Sequence, residues 1–457
     1  MTSPDRTYRR ELPPGERTHM NQAAPPGPMG RWGGNNHLRA IRADFREFSH
    51  ALHQEHGDVV SYRVLGQSVF QFASPDLAHE VLVEKAKSLC KPDNQKRALG
   101  PIIGRNLFTS DGPAWVTRRR LLAPVFLPQV IERYRSIVVR QARSELDRLS
   151  NGEANVSRIA NTIALLSVAE SLFGTAVNDV ADEFLDVAAR LQGAVTRQIL
   201  SPFLLPLWIP TADNRTVRSS LRFFHSLISP LIDQRRKSPG QHLDLLAALL
   251  TATDQEGKAH LNDREARDEA LTMLLAGSDT TAAALSWSAF LLARHPETQH
   301  RLREEVVAAG DESIPRLAEQ VFLEAMRLYP PAIAIARQAA QPVEIGGIPI
   351  PRGALVFVSV YSIHHDSRWF PQPEEFQPQR FAPEHAEAMP ENAFLPFGIG
   401  PRACIGRRFA MMEGPLVLAE LVRQFDVQLT KPDQTPELET QLSLHPRHGL
   451  RLRLTRH

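Results

Sequence analysis

The period of the apolar positions changes several times along the chain, and each change marks an expected element. Val60, Tyr62 and Val64, then Phe70 and Phe72, alternate with polar neighbours on either side of Leu65-Gly66-Gln67, which predicts a β-hairpin. A helix is predicted before it, over about residues 38–55, and helical patterns dominate from about 77 to 309. The segment 262–295, "NDREARDEALTMLLAGSDTTAAALSWSAFLLARH", begins polar and turns apolar on every side, so it is expected to run through the middle of a large globule.

A shorter helix over 315–328 ends at Pro330-Pro331. Short strands follow in 342–360, punctuated by Gly346-Gly347 and by the turn Pro351–Gly353. A Pro-rich loop (371–383), a last helix to about 425 and a β-like tail complete the pattern. Without repeats or linkers, it predicts one mainly helical domain with a minor β portion over 25–457, preceded by a flexible segment, 1–24.

Composition narrows the function. Hydrophobic residues make up 42% and charged residues 23% of the 457, ordinary for a soluble protein with a real core. The net charge of +2 gives no global reason to expect nucleic acid as a partner. No apolar run reaches the ~18 residues of a membrane span, and the polar N-terminus lacks a signal sequence, so the expected location is cytoplasmic. The apolar stretch 199–210 is interrupted by Pro202, Pro206 and Pro210 and reads as a loop. Two cysteines, Cys90 and Cys404, make no disulfide framework.

Cys404 lies in "FGIGPRACIGRRFA" (397–410), among Gly398, Gly400 and Gly406 and just before a predicted helix. Free N–H groups at a helix start favour a thiolate, which serves as nucleophile or metal ligand. No base stands nearby for a nucleophile, and no second Cys or His for zinc. Haem needs a single strong axial ligand from the protein, and glycines let a flat macrocycle approach the backbone. A structural cysteine on a Gly-rich turn is the bland alternative.

The pattern Phe397-x-x-Gly400-x-Arg402-x-Cys404-x-Gly406 resembles the haem-binding signature of the cytochrome P-450 family, the haem-thiolate monooxygenases. Three further segments are similar to the family's. "AGSDTT" (276–281) resembles its oxygen-activating stretch, which implies Ala276 and Gly277 on the distal side of the haem and Asp279 and Thr280 as an acid–hydroxyl proton relay. Back-bonding of the threonine within its own helix is the structural alternative. Glu324-x-x-Arg327 implies a buried network with Arg380, and Trp115-x-x-x-Arg119 implies a propionate site to which Arg337 and Arg402 also contribute.

The resemblance spans roughly 25–455 and implies a mainly α cytochrome P-450 fold, soluble and bacterial in type. It implies heme b (iron protoporphyrin IX) with Cys404 on the iron, dioxygen as co-substrate and oxygen insertion into a hydrophobic small molecule. Pocket walls are expected from 88–112, 199–210, the Thr280 helix and Ala332–Ala336, where Ile333 and Ile335 suggest an aliphatic, terpenoid or steroid-like substrate. No flavin or iron–sulfur module follows the last helix, so a separate ferredoxin or flavodoxin is expected on a basic face including Arg118, Arg120, Arg407 and Arg408. Gly414-Pro415 departs from a regular helix and predicts a kink. Peroxide-using or isomerising enzymes and a haem gas sensor are the alternatives.

Overall fold

The predicted hairpin forms as β1 (Val59–Val64) and β2 (Gln67–Phe72). Leu65 and Gly66 both take positive φ, 52° and 79°, the two-residue turn whose twist matches antiparallel strands. The computed structural model describes residues 26–28, 35–174, 177–199, 201, 205–237, 244–251 and 261–457. The segment 1–24 and residues 200 and 202–204 of the apolar stretch 199–210 lie outside the described residues.

In place of one helix over 38–55 there are two, α1 (Asn35–Ala43) and α2 (Phe45–His56). Asp44 leaves the helical region (φ −160°, ψ 102°) and its carboxylate accepts the Glu47 N–H, so one side chain ends a helix and caps the next. Then come α3 (Pro75–His79), β3 (Leu89–Cys90), α4 (Asp93–Ile103), α5 (Gly112–Leu122), α6 (Pro128–Asp147), β4 (Gly152–Asn155), α7 (Val156–Phe173) and α8 (Ala181–Ile199). They are followed by α9 (Ala212–Lys237), α10 (Leu245–Thr251), α11 (Asp263–Arg294), α12 (Pro296–Ala309) and α13 (Arg316–Leu328). The short strands β3 and β4 fall in the stretch where helical patterns dominate; each pairs with a strand far along the chain.

The remainder holds β5 (Ile335–Ala339), β6 (Val343–Ile345), β7 (Ile348–Ile350), β8 (Leu355–Val358), α14 (Val360–His364), α15 (Pro383–Ala386) and α16 (Arg407–Gln424). Strands β9 (Phe425–Leu429), β10 (Leu438–Thr440), β11 (Leu444–Pro446) and β12 (Arg451–Arg456) end the chain. The largest sheet has the order β1-β2-β8-β5-β3, with β2 and β8 parallel and the other pairs antiparallel. The fold is mainly α with small sheets, as the sequence pattern predicts.

Helix α11 organises the core. It starts with a capping box, Asn262 accepting the Glu265 N–H while Glu265 accepts that of Asn262. Its polar first half is spoken for: Glu269 accepts the Leu107 N–H at 3.1 Å, and Arg118 pairs with Glu265 and Glu269 at 2.8 and 3.0 Å. Thr272 accepts from Asn106 Nδ2 at 2.6 Å, so the segment before α5 is latched onto α11. From Thr281 to Ala293 every residue is buried, against α7, α13 and α16. Burial at roughly 1.5–3 kcal/mol per large apolar side chain outweighs the few tenths that serine and threonine cost a helix.

Among the described residues one helix, α7, is long and apolar enough to cross a membrane, and 67% of it is buried inside the protein. Helix α16 continues through Gly414-Pro415 from Arg407 to Gln424 without interruption. Gly414 has a packing reason: a Cβ there would lie 2.3 Å from the Phe322 ring of α13.

Candidate active site

The loop before α16 is held by backbone geometry. Gly398 and Gly400 take φ of 61° and 73°, and a Cβ on Gly400 would stand 2.4 Å from the carbonyl oxygen of Leu82. Non-glycine residues are excluded there on both counts. The Cys404 N–H donates to Phe397 O at 2.8 Å, which closes the loop. The sulfur has open surface, yet protein surrounds it closely enough that burial pushes the thiol pKa up. It therefore opens into a recess within the protein body. The N–H groups of Gly406 and Arg407, with the Arg119 and Arg407 guanidiniums, pull the other way and do not prevail. The expected thiolate at the helix start is thus not produced by the protein alone, because desolvation outweighs the dipole.

Cations outnumber anions in the group that includes Arg402 of the cysteine loop. Arg402 lies over the Trp115 ring (4.7 Å to its centroid) and bonds Asp111 at 2.5 Å and Ser110 O at 3.0 Å. Arg119 donates to Ala403 O at 2.9 Å. Arg337, on β5, is buried, and among the described residues its side chain donates to the neighbouring Ala336 O alone. Burial and the Arg402 charge hold its pKa down to about 10. Lys91 lies over the Phe108 ring at 4.3 Å, and burial with Arg337 and Arg402 brings it to about 7. Among the described residues Asp111 is the one carboxylate acting on all three.

Part of α11 forms a second group. Ala276 and Thr280 are exposed although the helix runs through the core. Their i, i+4 spacing puts both on one face. The Thr280 hydroxyl back-bonds to Ala276 O at 2.8 Å, as Thr272, Ser278, Ser286 and Ser288 do to their own preceding turns. Back-bonding thus fails to distinguish Thr280; exposure does, since the other four are buried. Asp279 accepts from Ser443 Oγ and pairs with His445 Nε2 at 3.1 Å. These partners hold its pKa below the ordinary value despite burial, and Asp279 raises that of His445.

A model of the cytochrome P450 family matches residues 25–452. The chain belongs to the cytochrome P450 family. It is similar to cyclooctatin synthase of Streptomyces melanosporofaciens, 35% identical over 378 residues that cover 80% of this chain and 82% of that protein. Pentalenene oxygenase of Streptomyces avermitilis is 31% identical over 410 residues, 88% of this chain and 90% of the relative. Human cytochrome P450 4V2 is 31% identical over 413 residues, 82% and 78% of the two chains. The chain is accordingly a haem-thiolate monooxygenase acting on a hydrophobic substrate.

The residues fit the cofactor that a cytochrome P450 carries. The thiol faces an internal recess with N–H donors on its sulfur, and Arg119, bonded to the carbonyl before it, and Arg402 of the same loop suit the carboxylates of a haem. A metal cation on the sulfur reverses the protonation that burial favours.

The buried brace is also present. Arg327 grips Glu324 with two 2.8 Å bonds and donates to His364 O, Pro373 O and Glu375 O at 2.7–3.0 Å. Arg380 joins at 3.4 Å from Glu324. The brace reaches the cysteine loop through His364, whose Nε2 accepts the Leu395 N–H at 2.9 Å.

Three expectations need correction. Arg118 is buried and paired with α11, so it lies on no docking face, while Arg120, Arg407 and Arg408 are exposed. Gly277 turns its missing side chain toward Val168 of α7, 3.1 Å from a Cβ, which makes it a packing position. Ile333 packs with Tyr361 and Leu444 in a small cluster of its own, whereas Ile335 approaches Gly398.

Lys91, Asp111, His364 and His445 were not singled out by sequence. None stands in a periodic pattern, and the partner of each is distant in the chain. No hydrogen bond or ion pair links Asp279 or Thr280 directly to the Cys404 loop among the described residues.

Proposed function

We propose that Cys404 is the axial ligand of heme b and that Trp115, Arg119, Arg337, Arg402 and the newly found Lys91 hold its propionates. The observation that carries this is the pairing of Arg402, two residues before the internal thiol, with Asp111, the carboxylate whose charge also acts on Lys91 and Arg337. Phe397 O accepts the Cys404 N–H and the Gly406 N–H donates to the sulfur, while Arg407 lies over the Phe397 ring at 5.8 Å. When bound, the haem supplies activation of dioxygen for insertion of one oxygen atom into the substrate.

The protein's own residues do the rest. Ala276 and Thr280 present the exposed face of α11 to the substrate side, with Gly277 letting that helix sit close to α7. Asp279 holds a proton-accepting carboxylate on the residue that precedes Thr280 in α11, and the pair passes protons to the reacting oxygen. The substrate is a lipid, terpenoid or steroid-like compound, and hydroxylation or epoxidation is the reaction. The names of the two Streptomyces relatives agree with a hydrophobic substrate. Electrons come from a separate acidic ferredoxin or flavodoxin that docks on exposed Arg120, Arg407 and Arg408. The enzyme works in the cytoplasm as one domain over 25–457.

The experiment is the absorption spectrum of the reduced, carbon monoxide-bound protein. A thiolate ligand gives a strongly red-shifted main band, and Cys404→His moves it to the position typical of an imidazole ligand. An ordinary band in fresh wild-type protein overturns the assignment.

A further inference from the structure

Leu444 fixes two polar side chains over the acid of α11. Its N–H donates to Pro331 O at 3.1 Å, and its carbonyl accepts the Trp287 indole N–H at 3.0 Å. Its side chain is fully buried beside Ile333 and Tyr361. Side chains alternate along a strand, so Ser443 and His445 share the opposite face. Both reach Asp279: Ser443 Oγ donates to Oδ2, His445 Nε2 lies 3.1 Å from Oδ1, and the Ser443 and His445 atoms are 2.8 Å apart. Gln192 of α8 bonds the same carboxylate.

This arrangement defines where Asp279 finds a proton. Among the described residues its recorded ion pair is with His445 alone, and the two side chains are 16% and 19% exposed. An ionised Asp279 has nothing to donate until it is reloaded, and the nearest ionisable hydrogen is the one on His445 Nε2. The charged groups acting on His445 are Asp279 from α11 and Glu439, its cross-strand partner in the β10–β11 register. Both favour the imidazolium, and the histidine keeps some contact with solvent.

We propose that His445 is the positioning residue that reloads Asp279 with protons from solvent through the β10–β11 hairpin. This rests on the reading of Asp279 and Thr280 as the relay. In the step, the Nε2–H bond of His445 breaks and an O–H bond forms on Asp279. Asp279 then gives that proton to the Thr280 hydroxyl as Thr280 releases its own to the reacting oxygen. The neutral imidazole regains a proton from hydronium or a buffer acid in the solvent, on the side of Glu439. No electron moves among these groups, and one proton passes from solvent to the oxygen.

The test uses the haem-loaded enzyme and three variants. His445→Gln keeps a hydrogen-bonding side chain without a titrating group. His445→Arg keeps the positive charge but releases no proton at working pH. Both are expected to lose product formation by about ten-fold near neutrality, below the usual range for a general acid because water substitutes in part. Both should also lose the fall in rate that wild type shows as pH rises through the His445 titration. An unaltered substrate-induced spectral change shows that the pocket is intact. Independently of activity, the NMR titration of His445 is expected to fall toward the ordinary histidine value in Asp279→Asn.

Wild-type rates and pH profile in His445→Arg overturn the proposal, because charge alone then suffices and His445 is a structural counterion. An unmoved His445 titration in Asp279→Asn overturns it as well. Wild-type coupling of electrons to product in both Asp279→Asn and Thr280→Val overturns the relay itself, a separate result.

Discussion

Arg402 and Asp111 form a 2.5 Å ion pair that ties the cysteine loop to the segment entering α5. Asp111 also accepts the Lys91 N–H at 3.1 Å and pairs with Lys96 at 2.9 Å, so one carboxylate organises this side of the recess. Without it, Lys91, Arg337 and Arg402 face one another with no protein anion acting on all three.

Asp111→Asn should therefore destabilise the haem-free chain by about 1–3 kcal/mol, the usual cost of leaving partly buried polar partners unmatched. The loss should be smaller with haem bound, because the cofactor's carboxylates then supply negative charge to the same cations. Thermal unfolding of both forms measures the difference. Equal losses would show that Asp111 acts through its backbone contact and not as a counterion.

His364 gives a prediction in pH. Its Nε2 accepts the Leu395 N–H, so the ring proton sits on Nδ1, 3.2 Å from Arg327 O, and the ring is neutral. Burial, with the charges of His365 and Arg327, holds its pKa well below 6.5; His365, also buried, is held at about 3. The unfolded chain takes up these protons and the folded chain resists them. Stability from both groups is then full above the ordinary histidine value and is lost as pH falls below it, by up to about 1.4 kcal/mol per pH unit for each group. Urea unfolding at a series of pH values should show a shallower acid slope in His364→Gln, with the His365 share retained. Parallel slopes would remove His364 from the account of acid lability.

How much of this was visible in sequence follows from where each partner lies. Cys404, Gly400 and Arg402 share one short loop whose chemistry is local, and Trp115 and Arg119 share a helix face; both are readable as patterns. The structure brings Trp115 to Arg402 and Arg119 to the carbonyl beside Cys404. Arg118 and Arg120 share one expected docking face in sequence because the pattern of α5 alone does not show which side packs inward. Only the packing of α5 on α11 shows that Arg118 is the buried one. The Asp279–His445 pair joins a helix to a hairpin near the chain end, and neither segment carries a sign of the other. The break at Asp44 was legible in principle, as a capping residue ahead of Glu47, but helical periodicity on both sides masked it.

Gly414 yields a packing prediction. Alanine at this position places a methyl group 2.3 Å from the Phe322 ring, itself 1% exposed, in the contact between α13 and α16. Gly414→Ala should lower stability by roughly 1–3 kcal/mol through overpacking, despite its better helix propensity. Phe322→Leu in the same chain makes room, so the double variant should recover part of the loss in a thermal melt. Additive losses would show that the methyl group meets something other than Phe322.

Thr280 is the residue on which the proposed proton path ends. Its hydroxyl donates to Ala276 O in the resting helix, which leaves both lone pairs of the oxygen free to accept a proton from the exposed side. Thr280→Val keeps the shape and removes the hydroxyl; Thr280→Ser keeps the hydroxyl with a smaller side chain. If the hydroxyl carries protons, valine should reduce product per electron consumed by about ten-fold or more, and serine should retain most of it. If the side chain matters only as a wall of the substrate site, valine should preserve coupling and serine should impair it. Consumption of reductant and formation of product, measured together in the two variants, separate these outcomes because shape and proton transfer change in opposite members of the pair.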